Sequence, residues 1–124
     1  THFDDASGLL DDGDYTNALD LARLTSIALK NETFAKIVST KEKIIEDLDG
    51  NKYFLKNLNK LLGSNGVSGV KTGTTEGAGQ VLVTAKDEKG HKIIIVVMGS
   101  EDRFLDTQKL LNLVYRLLIQ SPLC

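Results

Sequence analysis

The period of the apolar positions changes along the chain, and each change predicts an element. Residues 1–15 show no period. Thr1-His2-Phe3-Asp4-Asp5-Ala6-Ser7-Gly8 and Asp11-Asp12-Gly13-Asp14 are polar and rich in glycine and aspartate, the composition of irregular loop. From Ala18 the period becomes helical. Ala18, Leu21, Ala22, Thr25, Ala28 and Leu29 fall on one stripe, with Thr16 as the expected N-cap and Asn31 as the end. Phe34, Ile37 and Val38 predict a second short helix. Residues 41–46 then read as a strand, Asp49-Gly50-Asn51 as a turn and residues 53–55 as the hairpin partner. Residues 57–62 read as a short helical turn stopped by Gly63.

Three strands are expected next. The first covers residues 67–74. The second alternates, with Val81, Val83 and Ala85 on one face. The third, residues 93–98, is apolar on both faces, which predicts a central strand with both sides of the sheet covered. Asp87-Glu88-Lys89-Gly90 is a hairpin turn between the last two. A closing helix is expected over residues 102–119, with Thr107, Leu110, Leu111, Val114, Leu117 and Leu118 as its buried stripe and Pro122 beyond its end.

The order is helix, helix, small hairpin, three-stranded antiparallel meander, helix. This is an α/β (α+β) class, an antiparallel sheet flanked by helices. A length of 124 residues suits one domain, not two. The meander has two faces to bury and few helices to cover them. The expectation is therefore a single partial domain over residues 1–124, with further elements of the fold N-terminal to Thr1. Composition narrows the chemistry. Hydrophobic residues make up 41% and charged residues 26%, as in ordinary globular domains. The formal net charge is -2 and no basic cluster stands out in the sequence, so nucleic acid is not an expected partner. The lone cysteine, Cys124, cannot form an internal disulfide.

The sharpest local signal is Val70-Lys71-Thr72-Gly73-Thr74-Thr75 at the end of the first meander strand. A Lys-Thr-Gly tripeptide is weak alone, but its placement gives it chemical sense. An ammonium and a hydroxyl there can hold a substrate carboxylate. Gly73 lets an extended substrate lie close to the backbone, and an exposed strand edge can pair with it. A phosphate loop is excluded, because Val70 rather than glycine precedes Lys71.

The run from Gly66 to Gly79 around Lys71-Thr72-Gly73 resembles the D-alanyl-D-alanine carboxypeptidases, the low-molecular-mass penicillin-binding proteins. Asn57-Leu58-Asn59-Lys60-Leu61-Leu62 is similar to the family's Asn-x-Asn-x-Leu-Leu. Thr1-His2-Phe3 with Gly8-Leu9 resembles its Thr-x-Phe…Gly-Leu segment. Tyr15 to Leu29 resembles its next helix, and Val96-Val97-Met98-Gly99-Ser100 with Arg103, Asp106 and Leu110-Leu111-Asn112 resembles its last strand and helix. The likeness covers nearly the whole chain in order. It implies the C-terminal part of a β-lactamase/transpeptidase-like fold. It also implies a serine-type peptidase that cleaves the terminal D-alanine from peptidoglycan stem peptides and is acylated by β-lactams. Such a protein works outside the cytoplasm, without a cofactor, and any membrane association would come from segments not in this sequence. Of the family's three motifs, Ser-x-x-Lys, Ser-x-Asn and Lys-Thr-Gly, only the third carries over. The resemblance makes Lys71 catalytic and gives the Thr74 backbone N–H half of the oxyanion hole. Thr72, Gly73 and Thr75 become substrate-binding.

Two formal matches to the missing motifs are read as decoys. Ser68-Gly69-Val70-Lys71 has the Ser-x-x-Lys spacing but lies in a strand, where residues three apart point to opposite faces. Tyr15-Thr16-Asn17 falls at the start of a structural helix. The isolated chain is therefore expected to be inactive. A non-catalytic peptide-binding module of the same fold and a fragment of a serine β-lactamase are the alternatives. Departures from the family are Asp4-Asp5-Ala6, where Asn-Pro is common, and Leu58, where some relatives carry a polar or basic residue. His2 and His91 are too far apart in sequence to suggest a pair, and no Cys/His spacing suggests zinc. Asp11, Asp12 and Asp14 lack the spacing of a calcium loop.

Overall fold

The computed structural model describes residues 1–8 and 13–120. The expectations placed on Leu9, Asp11, Asp12, Pro122 and Cys124 lie outside the described residues. Helix α1 runs over Ala18–Ala28. Its N-cap is Asn17 rather than the expected Thr16. The Asn17 side chain accepts the Asp20 N–H at 2.9 Å, the reach from N-cap to the third helical residue. Thr16 lies one position too early and instead bonds the Thr1 hydroxyl at 3.1 Å. Asn31 opens α2 (Glu32–Val38) rather than closing α1, because its side chain accepts the Phe34 N–H.

Strands β1 (Glu42–Glu46) and β2 (Lys52–Lys56) form a separate antiparallel hairpin, with every residue exposed. Residues 57–62 form turns and no helix. Two asparagine side chains organise them, competing with the backbone for its own bonds. Asn57 accepts the Asn59 N–H and donates to Thr40 O, while buried Asn59 accepts the Leu61 N–H and donates to Gly69 O.

The meander is β3 (Val67–Thr75), β4 (Gly79–Glu88) and β5 (His91–Ser100), in the order β3-β4-β5. The central strand is thus β4, not the doubly apolar β5. An apolar pattern on both faces reports that both faces are covered, not where the strand lies in the sheet. The first part of that expectation holds. Helix α1 packs on β5 and β4 from one side, and α3 (Arg103–Gln120) packs on the same strands from the other. In β4, four successive residues from Leu82 to Ala85 are buried.

The α3 face holds the core cluster of Leu61, Val67 and Leu82, packed against Phe104 and Leu111. Thr107 is wholly buried, but Leu110 and Leu117 of the expected stripe are exposed. Only the narrower line Phe104, Thr107, Leu111, Val114 and Leu118 turns inward. Among the described residues, no helix is long and apolar enough to cross a membrane.

Candidate functional site

The Lys-Thr-Gly residues lie in the second half of β3, the outer strand of the three. Only β4 borders it in this sheet, so alternate backbone groups of β3 face away from the ladder. The register pairs Lys71 with Val83, Gly73 with Val81 and Thr75 with Gly79. Directly opposed residues share a face. Lys71 and Gly73 therefore lie on the face of Val81 and Val83, and Thr72 and Thr74 lie on the face of Leu82 and Gln80.

The Lys71 face borders a cavity of about 770 Å³. Its floor is β3 and β4 with Met98, and its wall comes from Leu21, Leu24, Thr25 and Ala28 of α1. Phe3 and Tyr15 of the N-terminal loop close one side. Several bonds hold that loop. Tyr15 and His2 exchange backbone hydrogen bonds at 2.8 and 3.0 Å, the Asp4 N–H donates to Asp14 at 2.7 Å, and the Thr1 hydroxyl donates to Asp20. The Thr1 hydroxyl, followed by the Asn17 amide, the Thr1 ammonium and Arg23, draws the Asp20 carboxyl below its ordinary range.

Lys71 is exposed, and its ammonium donates to Thr72 O. From the opposite face Arg103, the first residue of α3, reaches the same strand. Its Nη1 donates to Gly73 O at 2.7 Å and to the Thr74 hydroxyl. Gln80 locks this approach by accepting the Arg103 N–H at 3.3 Å and donating to Glu101 O at 2.7 Å. The guanidinium also lies 5.1 Å from the Phe104 ring centre. Among the described residues, neither Lys71 nor Arg103 forms an ion pair with a carboxylate. The end of β3 therefore carries a cation on each side, neither of them ion-paired with a carboxylate, an arrangement suited to a bound carboxylate.

The five expected site residues are consecutive on one strand, and all five border the same cavity. Lys71, Thr72 and Gly73 line the cavity together with Thr74 and Thr75. The Thr75 hydroxyl accepts the Ala78 N–H at 3.1 Å and so closes the β3–β4 turn. Arg103 is marked in the sequence only by the family resemblance, not by any sign of a place at the wall. It stands 29 residues from Thr74, and no local pattern signals that approach. Ser68 sits on β3, its hydroxyl donating to Ala85 O at 3.4 Å, and Asn17 is spent as a helix cap.

The chain matches the family described as D-alanyl-D-alanine carboxypeptidase over residues 1–102. Among curated proteins it is 33% identical to the D-alanyl-D-alanine carboxypeptidase DacF of Bacillus subtilis, over 99% of this chain and 33% of that protein. It is 36% identical to DacC of Escherichia coli, over 94% of this chain and 29% of that one. Among solved structures, the Streptomyces K15 DD-transpeptidase superposes with a TM-score of 0.82 at 34% identity, over 90% of this chain and 46% of that one. Penicillin-binding protein D2 of Listeria monocytogenes, in its cefotaxime-bound form, gives a TM-score of 0.75 at 32% identity, over 90% and 47%. The chain thus spans about a third of these curated relatives and less than half of these solved chains.

Proposed function

The chain belongs to the D-alanyl-D-alanine carboxypeptidase family, and we propose that it supplies the substrate-binding wall of a serine peptidase acting on peptidoglycan stem peptides outside the cytoplasm. The observation that carries this reading is the Lys71-Thr72-Gly73 strand edge, open beside a cavity and flanked by two cations without acid partners. A stem peptide ends in a carboxylate. Lys71, Arg103 and the Thr72 hydroxyl are the groups here that would hold it. The extended peptide would lie along β3 as an added strand, with Gly73 leaving room for its backbone.

The reaction is an acyl transfer. A serine Oγ outside these residues attacks the penultimate D-alanine carbonyl and passes its proton to a neighbouring base, which later returns it to the leaving amine. The Thr74 N–H donates to the developing oxyanion, a contribution worth about 2.7–4 kcal/mol at the transition state. The peptide C–N bond breaks, the terminal D-alanine leaves with a proton on its amine, and water then cleaves the ester. A β-lactam follows the same first step, but its leaving amine stays tethered. The similar solved enzyme named a DD-transpeptidase favours a second acceptor. An amine in place of water would convert hydrolysis into peptide transfer, and the ratio of the two products reports which occurs.

The test is the intact mass of this chain after incubation with penicillin. No adduct is expected, because Ser68 lies on a strand and bonds Ala85 O rather than opening a helix. A stable adduct on Ser68 would refute this placement of the nucleophile. In a protein that also carries the family's serine, one penicillin adduct per chain is expected. Its absence would leave the wall as a peptide-binding surface without catalysis.

A further inference from the structure

One rung of the meander does more than pair strands. Thr74, Gln80 and Ser100 stand directly opposite one another across β3, β4 and β5. A bulge makes that alignment. Between this rung and the Leu82–Val97 pair, β4 advances two residues and β5 advances three, with Gly99 at φ +61°. The extra residue brings Ser100 back to the face of Gln80 and Leu82, the face on which α3 packs.

All three side chains of the rung bond the start of α3. The Thr74 hydroxyl accepts from Arg103 Nη1. Gln80 accepts the Arg103 N–H at 3.3 Å and donates to Glu101 O at 2.7 Å. The Ser100 hydroxyl donates to Asp106 at 2.7 Å and accepts the Asp102 N–H at 3.0 Å. Gln80 thus ties down the main chain of Arg103 on the same rung where the Arg103 guanidinium lands. Nη1 is occupied by Gly73 O and Thr74, while Nη2 donates to no group among the described residues and is left for an incoming carboxylate. A long side chain aims its head group only as well as the main chain it leaves from is held.

We propose that Gln80 is a positioning residue for substrate recognition. Its carboxamide sets the main chain of Arg103 so that the guanidinium meets the terminal carboxylate of the substrate at the end of β3. Gln80 itself touches no reacting atom. The proposal rests on the reading of Arg103 as a carboxylate-holding group.

The test compares benzylpenicillin, an acid, with its methyl ester in a protein carrying the complete catalytic domain, and reads the second-order rate constant of acylation. Gln80→Met keeps the length of the side chain and removes both hydrogen bonds. It should slow acylation by the acid about 10-fold and by the ester less than about 2-fold, because only the acid uses Arg103. With a peptide ending in D-alanyl-D-alanine, KM should rise about 10-fold while kcat stays within about 2-fold. Gln80→Asn keeps the carboxamide but is too short to reach both partners, and should give the same signature. In an Arg103→Ala background, Gln80→Met should add less than about 2-fold. Equal losses for acid and ester, or an undiminished effect of Gln80→Met without Arg103, would overturn the proposal by making Gln80 a purely structural contact. So would an acid-selective loss in Arg103→Ala with none in either Gln80 variant, which leaves the carboxylate reading intact. No acid-selective loss in Arg103→Ala would refute that reading and the proposal with it.

Discussion

At the scale of single residues, charge and position separate function from support. Lys71 is exposed at the cavity and contributes little packing. In a protein carrying the complete catalytic domain, Lys71→Ala should slow β-lactam acylation by about 10- to 100-fold, the worth of a charge-assisted hydrogen bond, with no measurable fall in thermal stability. Stopped-flow acylation and a melting curve on the same sample check both halves. Asn59 is the contrast. It is buried, and its amide serves the Leu61 N–H and the Gly69 carbonyl at once. Asn59→Ala leaves both unpaired and should cost about 1–3 kcal/mol in chemical denaturation. Thr107 is wholly buried on α3, and its hydroxyl has no partner among the described residues. Thr107→Val removes a desolvated polar group while keeping the shape, so the same denaturation curve should move the other way, by about 1 kcal/mol.

At the scale of elements, glycines and one aspartate decide how pieces meet. Gly79 enters β4 at φ +65°, and a Cβ there would lie 3.2 Å from Gly99 Cα. Gly79→Ala adds a left-handed backbone cost of about 1–2 kcal/mol to that clash, and should lower the melting temperature and loosen the β3–β4 turn that carries Thr75. The hairpin turn depends on Asp47. Its carboxylate accepts from the Asn51 side chain and backbone and from the Tyr53 hydroxyl, which hold its pKa at about 2 instead of the ordinary 3.8. Depression in the folded state means that the ionised form favours the hairpin. That stability is present in full above about pH 4 and is lost as pH falls toward 2. The protection of the Asn51 amide, measured against its intrinsic exchange rate, should therefore fall between pH 4 and 2, and Asp47→Asn should abolish that pH dependence.

At the scale of the whole molecule, two helices cover the two faces of one small sheet, yet a cavity of about 770 Å³ stays open beside the candidate site. Its lining is largely apolar, with leucine, valine and phenylalanine facing the Lys-Thr-Gly strand. Such a surface suits coverage by further protein, which agrees with the chain spanning 46% of a solved relative. This chain by itself should take up no penicillin adduct, which its intact mass after incubation checks.

Much of this was legible without coordinates because it is local. Apolar periods located α1, α3 and the meander strands, since burial of one face writes its spacing into the chain, but they also read a helical turn into residues 57–62 that the structure lacks. Lys71, Thr72 and Gly73 were legible because they are consecutive on one strand, whereas the bulge that leaves Ser68 outside the β3–β4 register was not. Other features arise from pairing across long stretches of sequence. The register made β4 central although β5 has the more apolar pattern. Packing turned Leu110 and Leu117 of α3 to solvent while hiding Thr107. Folding brought Arg103 to Gly73 and Thr74 across about thirty residues. Local spacing is a one-dimensional record of which face is buried. Which residues become neighbours across the fold depends on strand order and helix docking, and that was decided by the tertiary structure.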